Sequence, residues 1–144
     1  MLTINPYLNF MGNTEAAFNF YRSVFGGEFL VFQRFRDVPG GEKMSPADQE
    51  KIMHVGLKIG NHNVLMGTDA LESMGQSLTS GNNFYLSLSP ESEAEADVIF
   101  GKLAEGGNVT MPLDRAFWGA YFGMVTDKFG IQWMVNYDLN SRAN

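Results

Sequence analysis

An internal repeat constrains this chain more than any other feature of its sequence. When the sequence is shifted by 80 positions, one helical segment falls on a second of similar character, and both run into a pair of glycines. The matched positions are Glu15 and Glu95, Ala16 and Ala96, Phe20 and Phe100, Arg22 and Lys102, and the glycine pairs at 26–27 and 106–107. The repeat therefore predicts two copies of one supersecondary unit.

Each copy centres on an amphipathic helix. In the first copy Asn13 or Thr14 is placed to cap the helix, and Glu15 lies in the first turn, where a negative charge suits the helix dipole. An apolar stripe at helical spacing predicts the buried face. Its members are Ala17, Phe20, Tyr21 and Val24. Residues 90–105 predict the equivalent helix of the second copy.

Apolar segments around these helices predict the order βαβββ in each repeat, over about residues 1–70 and 83–138. The predicted strands are 4–10, 28–35, 52–59 and 64–68, then 83–89, 108–113, 121–126 and 131–137. The segment 36–51 holds two prolines and two glycines among charged residues. It predicts a long loop, and such loops in compact domains are often lids or mobile flaps. The stretch 69–82 predicts the connector between the repeats.

Composition argues against several classes of function. The chain has no cysteine, so it forms no disulfide and offers no thiolate. Its net charge is −6 and its basic residues do not cluster, which disfavours nucleic acid as a partner. No apolar run approaches the roughly 18 residues of a membrane span, and no signal-peptide pattern opens the sequence. We therefore expect a cytoplasmic protein without nucleic-acid or membrane partners.

Several motifs in this sequence match those of a known family. They are Pro6-Tyr7-Leu8-x-Phe10, Phe20-Tyr21, Phe25-Gly26-Gly27, His54, Leu65-Met66-x-x-Asp69, Phe117-Trp118-Gly119, and Phe122-Gly123-Met124-Val125-Thr126-Asp127-Lys128-Phe129-Gly130-Ile131-x-Trp133. The chain thereby resembles the PhnB-like family of the vicinal oxygen chelate superfamily, the group of glyoxalase, bleomycin-resistance and dioxygenase proteins. The resemblance implies a single α+β domain over residues 1–144, with duplicated βαβββ modules forming curved mixed sheets around a cavity. It also implies a homodimer.

The resemblance further implies where a metal would lie. Metal-dependent members of the superfamily place histidine and acidic ligands on the first and last strands of each repeat. In this sequence those positions fall near Asn5, Met66, Tyr85 and Met134. None of these side chains is a ligand for Zn, Ni, Mn or Fe(II), and thioethers select Cu(I) instead. We therefore predict no metal site of the superfamily's usual type and no cofactor.

Two residues are candidates for catalysis. His54, on a predicted strand, is either a base or lone ligand facing the cavity or a half-buried structural histidine. Asp69 either orients His54 and receives a substrate proton or caps the segment that follows it. Asp127 lies in the turn before the last strand and is predicted to form that turn.

Aromatic and polar residues near the predicted cavity suggest a small-molecule site. The predicted ligand-binding residues are Tyr7, Asn9, Tyr85, Trp118, Tyr121 and Trp133. For the aromatic cluster the alternative is ordinary core or dimer packing.

Two functions follow as hypotheses. The first is a binding protein that holds a small, partly apolar molecule in an aromatic-lined cavity without the usual metal. The alternative is a metal-dependent lyase or oxygenase with a rearranged site built on His54 and Asp69, and the sequence leaves open whether the protein is an enzyme. A DNA-associated regulator is a weaker third hypothesis, because the chain is acidic.

Overall fold

The protein divides into two compact units in this computed structural model, which describes residues 1–140. The first unit is Met1–Thr79 and the second begins at Ser80. The boundary lies inside the predicted connector 69–82. Each unit contains a four-stranded mixed sheet and a long helix, so the two predicted repeats are also two structural units.

The first unit follows the predicted order βαβββ. Its elements are β1 (Tyr7–Phe10), α1 (Thr14–Phe25), β2 (Glu28–Arg34), α2 (Pro46–Gln49), β3 (Ile52–Ile59) and β4 (Asn63–Asp69). The spatial order is β1-β4-β3-β2, so the first strand of the unit lies beside the last. That pair is parallel, with Tyr7 opposite Met66, and the other two pairs are antiparallel.

The second unit repeats this arrangement. Its elements are β5 (Leu86–Leu88), α3 (Glu93–Ala104), β6 (Asn108–Arg115), β7 (Ala120–Thr126) and β8 (Gln132–Asp138). The spatial order is β5-β8-β7-β6, and β5 runs parallel to β8. The α+β class with duplicated βαβββ modules is therefore confirmed, with strand ends shifted by a few residues.

Each long helix packs on one face of its sheet, and a glycine marks the closest approach. A Cβ on Gly67 of β4 would lie 2.5 Å from the ring of Phe18, which is fully buried in α1. A Cβ on Gly123 of β7 would lie 2.8 Å from the ring of Phe100 in α3. Glycine at these strand positions lets an aromatic ring from the helix sit directly on the backbone.

The buried face of the first helix differs from its prediction by one residue. Phe18 is buried and Phe20 is half-buried, so the stripe consists of Ala17, Phe18, Tyr21 and Val24 together with Thr14. Its counterpart in α3 is Ala96, Phe100 and Leu103. The helices therefore match at a shift of 79, whereas the glycine pairs match at 80. One extra residue, Glu105, lies between the end of α3 and its glycines.

The segment 36–51 is not the unstructured loop that its composition predicts. It contains α2 and two short 3-10 helices, Phe35–Asp37 and Gly41–Lys43. Asp48 ties the segment to the chain that follows β4, because its carboxylate accepts hydrogen bonds from Lys51 Nζ at 2.9 Å and from Ser73 Oγ at 2.5 Å. The hydrogen bonds from Ser73 and Lys51 keep the pKa of Asp48 below its ordinary value. Local hydrogen bonding of this kind leaves no sequence period to detect.

Candidate functional site

The face of the first sheet opposite α1, here called the first distal face, carries polar side chains. Strand alternation places Leu8 and Phe10 on the helix side, where both are buried, and Tyr7 and Asn9 on the distal face, where both are exposed. Alternation along residues 4–10 predicts this division, with Leu8 and Phe10 on one face and Tyr7 and Asn9 on the other. Register with β4 adds Met66 and Thr68 to the same face.

Tyr7 and His54 form a hydrogen-bonded pair on this face. The Tyr7 hydroxyl lies 3.1 Å from His54 Nδ1, and the two rings are stacked with centroids 5.6 Å apart and an angle of 18°. Register places His54 opposite Gln33 of β2, and its ring is half-buried. Tyr7 donates to Nδ1 in one imidazole tautomer and accepts from Nδ1–H in the other, so the pair can present either a donor or an acceptor to a third molecule.

A cleft of about 650 Å³ opens at the end of this sheet, within the first unit. Asn9, Met53 and Thr68 contribute from the strands, and Leu71 and Met74 from the chain that follows β4. The Thr68 hydroxyl donates to the carbonyl of Met53 at 2.7 Å, which fixes the bulged start of β3. The cleft combines flexible apolar thioethers with amide and hydroxyl groups, as small-molecule sites do.

Asp69 lies at the end of β4, but its carboxylate accepts hydrogen bonds from the start of α1. One carboxylate oxygen accepts from the Gly12 and Thr14 amides at 3.0 Å and from the Thr14 hydroxyl at 2.6 Å. The other accepts from the Ile52 amide at 2.8 Å. Asp69 therefore caps the preceding helix, whereas the sequence suggested a cap for the following segment. The hydrogen-bond partner of His54 is Tyr7, and the structure shows no hydrogen bond between His54 and Asp69 in residues 1–140.

An ion pair ties α1 to β2 beside this region. Arg34 donates from Nη1 and Nη2 to the two carboxylate oxygens of Glu15, at 3.0 and 2.9 Å. This two-point contact lowers the pKa of Glu15 and raises that of Arg34. Arg36 pairs with Glu50 at 2.7 Å. Both arginines that flank segment 36–51 therefore bind carboxylates of the chain itself.

The structure separates the predicted ligand-binding residues of the second unit. Trp118, in the β6–β7 hairpin, is 55% exposed and packs edge-on against Phe117 and Phe122. Tyr121 points to the helix side, where its hydroxyl donates to Asp97 of α3 at 2.6 Å. That hydrogen bond raises the pKa of Tyr121.

Trp133 and Tyr85 lie apart from this exposed hairpin. Trp133 is buried, and its indole N–H donates to Asp127 at 2.8 Å. Asp127 also accepts from the Phe129 and Ile131 amides at 2.8 and 3.1 Å, so it forms the predicted turn. Tyr85 is half-buried and directly precedes β5.

The donor set does not suit the superfamily's usual metal. In the part of the chain that the structure describes, no three histidine, cysteine or acidic side chains are grouped to hold an ion. Register places Met66 opposite Tyr7 and Met134 opposite Ser87, so thioethers stand at the last-strand positions. A thioether is too soft to replace histidine or carboxylate as a ligand for Zn, Mn or Fe(II).

Sequence reasoning missed two groups of residues that the register reveals. One is the strand-end part of the cleft, Met53 and Thr68. The other is a row of methionines across the second sheet, Met111, Met124 and Met134. Alternation along each strand was visible in the sequence, but a row across strands requires the pairing register, which single strands do not reveal.

No helix within residues 1–140 is both long and apolar enough to span a bilayer.

Comparison with known proteins identifies the family. A profile of the family described as 3-demethylubiquinone-9 3-methyltransferase matches residues 2–136. Protein YjdN of Escherichia coli is 33% identical over 143 residues, covering 94% of this chain and 95% of that protein. Protein PA1353 of Pseudomonas aeruginosa is 42% identical with a TM-score of 0.83, over 96% of this chain and 98% of that one.

A further solved structure links the family description to the motifs of this sequence. A PhnB protein of Bacillus cereus is 28% identical with a TM-score of 0.76, over 94% of this chain and 99% of that one. Its family and fold agree with those indicated by the sequence motifs and by the duplicated βαβββ units. The chain therefore belongs to the PhnB-like family that this profile describes.

Proposed function

We propose that this protein binds a small, partly apolar molecule at the first distal face, with the cleft as the site. The cleft of about 650 Å³ is the observation that carries the proposal, because its volume falls in the range of small-molecule sites. Met53, Leu71 and Met74 supply apolar walls that adjust to the shape of a ligand.

Polar groups on the same face give the site its selectivity. The Asn9 amide lines the cleft and offers both a donor and an acceptor. The Tyr7–His54 pair lies on the same face of the sheet and can exchange the roles of donor and acceptor. A ligand with a carbonyl or hydroxyl group on an apolar body fits this combination best.

Of the aromatic residues Trp118, Tyr121 and Trp133, we propose only Trp118 as a contact for a ligand. Trp118 is exposed and offers a stacking surface in the second unit. Tyr121 and Trp133 already use their polar atoms on Asp97 and Asp127. Contact with a ligand would require those hydrogen bonds to be given up, so we assign these two residues to packing.

The alternative function, a metal-dependent lyase or oxygenase, asks more of the structure. Its ligands would be His54 and Asp69. The Asp69 carboxylate accepts four hydrogen bonds from buried or partly buried donors, and an ion would have to displace some of them. Leaving such donors unpaired costs about 1–3 kcal/mol each. No described contact favours this arrangement over the binding function.

Binding at the cleft is tested with ¹³C-methyl-methionine NMR and a library of small carbonyl and hydroxyl compounds. We expect at least one compound to shift the methyl signals of Met53 and Met74 and to leave that of Met11 unchanged. Met11 is the control because it lies outside the cleft lining. Asn9→Ala should weaken that compound, whereas Asn63→Ala, in the β3–β4 hairpin, should not. Shifts confined to methionines of the second unit would overturn the proposal.

We also propose a homodimer, as the superfamily resemblance implies. Sedimentation equilibrium at micromolar protein checks this directly, and a mass equal to the 16.0 kDa chain would contradict it.

A further inference from the structure

We propose that the second sheet binds a soft monovalent cation, Cu(I), through the thioethers of Met111, Met124 and Met134. This site lies in the second unit and does not depend on the ligand cleft. It follows from the pairing register, which brings together three methionines that are separate in the sequence.

The three methionines occupy neighbouring positions on three adjacent strands. Met111 of β6 is paired with Met124 of β7, and Met124 is paired with Met134 of β8. Residues paired across a sheet point to the same face. Met124 and Met134 are paired in regular register, and Met111 is paired with Met124 between two register shifts of β6. The flanking residues Val125, Trp133 and Val135 are buried on the helix side. The methionines therefore lie on the second distal face, opposite α3.

Strand spacing allows the three sulfur atoms to converge. Adjacent strands are about 4.8 Å apart, so Met111 and Met134 lie roughly 10 Å apart on either side of Met124. A methionine side chain is unbranched and has three rotatable bonds, so its sulfur can lean toward a neighbouring strand. The sulfurs of Met111 and Met134 can therefore lean toward Met124 from its two sides. An ion between them would lie above Met124.

The donor chemistry selects the ion. Thioethers are soft, neutral ligands that favour Cu(I) over the hard and borderline divalent metals of the superfamily. Met111 is 44% exposed, which gives the ion a path from solvent. Met134, one of the two methionines at the last-strand positions of the superfamily's usual metal site, is thus also one of the three proposed ligands.

Ag(I), which is stable in air and has the same preference for thioethers, is the first probe. The protein is labelled with ¹³C-methyl methionine and titrated in chloride-free buffer. We expect one equivalent to shift the methyl signals of Met111, Met124 and Met134 before those of the other six methionines. Met11 is the matched control, because it is also 44% exposed but has no methionine partner in the sheet register.

Leucine variants separate coordination from packing, because leucine keeps the apolar volume and lacks the sulfur. Met111→Leu, Met124→Leu and Met134→Leu should each weaken Ag(I) by at least about tenfold, whereas Met11→Leu should change nothing. Cu(I) competition with bicinchoninate under anaerobic conditions should show the same ranking. Equal binding by the triple leucine variant, or first shifts at Met11, Met53 or Met74, would overturn the proposal. Unchanged methyl spectra elsewhere in the variants verify that they fold.

Discussion

The two units share one architecture, yet each fixes its helix and its turns differently. In the first unit the start of α1 is capped by Asp69, which lies 55 residues further along the chain than Thr14. In the second unit the start of α3 is capped locally, since the Ser92 hydroxyl accepts from the Glu95 amide at 3.0 Å. The buried carboxylate of the second unit, Asp127, serves a hairpin turn and Trp133 instead.

The distal faces of the two units differ in chemistry. The first carries one methionine, Met66, beside the Tyr7–His54 pair, whereas the register brings Met111, Met124 and Met134 together on the second. The helix sides are alike because both must be apolar to pack, as the glycines under Phe18 and Phe100 show. Duplication therefore preserves the packing side of each sheet and leaves the other side free to specialise.

Removing the remote cap should have the largest effect on stability. Asp69→Ala leaves three amides and the Thr14 hydroxyl without their acceptor, so we expect a loss of about 4 kcal/mol in the free energy of unfolding. Ser92→Ala, the local cap of the second unit, should cost about 1 kcal/mol. Urea unfolding followed by circular dichroism measures both. Equal losses would show that the two caps are equivalent after all.

The second-largest loss of stability should follow removal of the Asp127 carboxylate, which forms the turn before β8. Asp127→Ala removes the acceptor of two amides and of the Trp133 indole, for an expected loss of about 3 kcal/mol. A Trp118→Phe background leaves Trp133 as the sole tryptophan, so its fluorescence reports this hydrogen bond directly. A spectrum and an unfolding midpoint unchanged by Asp127→Ala would contradict the assignment.

Alanine substitutions at Gly67 and Gly123 compare how tightly the helix packs on the sheet in the two units. Gly67→Ala and Gly123→Ala should each destabilise the protein by about 1–3 kcal/mol, because the new methyl group overpacks a buried contact. The penalty should be greater at Gly123, where the nearest atoms include the Leu113 backbone at 2.8 Å as well as the Phe100 ring. Thermal unfolding of both variants, with Gly101→Ala in the helix as an uncrowded control, provides the ranking. A larger loss for Gly67→Ala would reverse it.

The smallest expected effects are changes of stability with pH. The first unit should lose stability at acid pH and the second at alkaline pH. The Arg34 hydrogen bond lowers the pKa of Glu15, so its contribution is present above the ordinary value of 4.5 and is lost as the pH falls below it. Because Glu15 is half exposed, we expect less than about 1 kcal/mol.

In the second unit the pKa of Tyr121 is raised, because its hydroxyl donates to Asp97. This contribution is present below the ordinary value of 10.0 and is lost as the pH rises above it. Urea midpoints across pH test both groups. Glu15→Gln should flatten the acid limb and Tyr121→Phe the alkaline limb, and an exchanged pattern would contradict the assignment.

The order of strands and helices could be predicted from the sequence because apolar residues recur with the period of a helix or a strand. Helical stripes, alternating strands and paired glycines predicted all eight strands and both long helices. The helix register failed by one residue, since Phe18 and Phe20 are both aromatic and the stripe alone does not choose between them. The turns within segment 36–51 were missed because they depend on single hydrogen bonds, such as those of Asp48.

The sequence predicted less completely which face of each sheet a candidate side chain occupies. Alternation alone predicts that Tyr7 and Asn9 share the face opposite Leu8 and Phe10, and the structure places them there. Tyr121 was assigned to the predicted site, yet its side chain points to the helix side, opposite to that of its neighbour Phe122. The same rule separates Trp133 from Met134. The contact between Tyr7 and His54, 47 residues apart, depends on a register that no local pattern specifies.

The remote cap also sets an order of events during protein synthesis. Helix α1 leaves the ribosome well before Asp69 does, so its first turn has water, and not a carboxylate, as its acceptor until β4 has been made. Strand β1 likewise has no neighbour until β4 arrives beside it. Once residue 79 has emerged, every partner within the first unit is present, and it can close before the second unit is complete. A nascent chain arrested shortly before Asp69 would therefore be the form most exposed to chaperones and proteases.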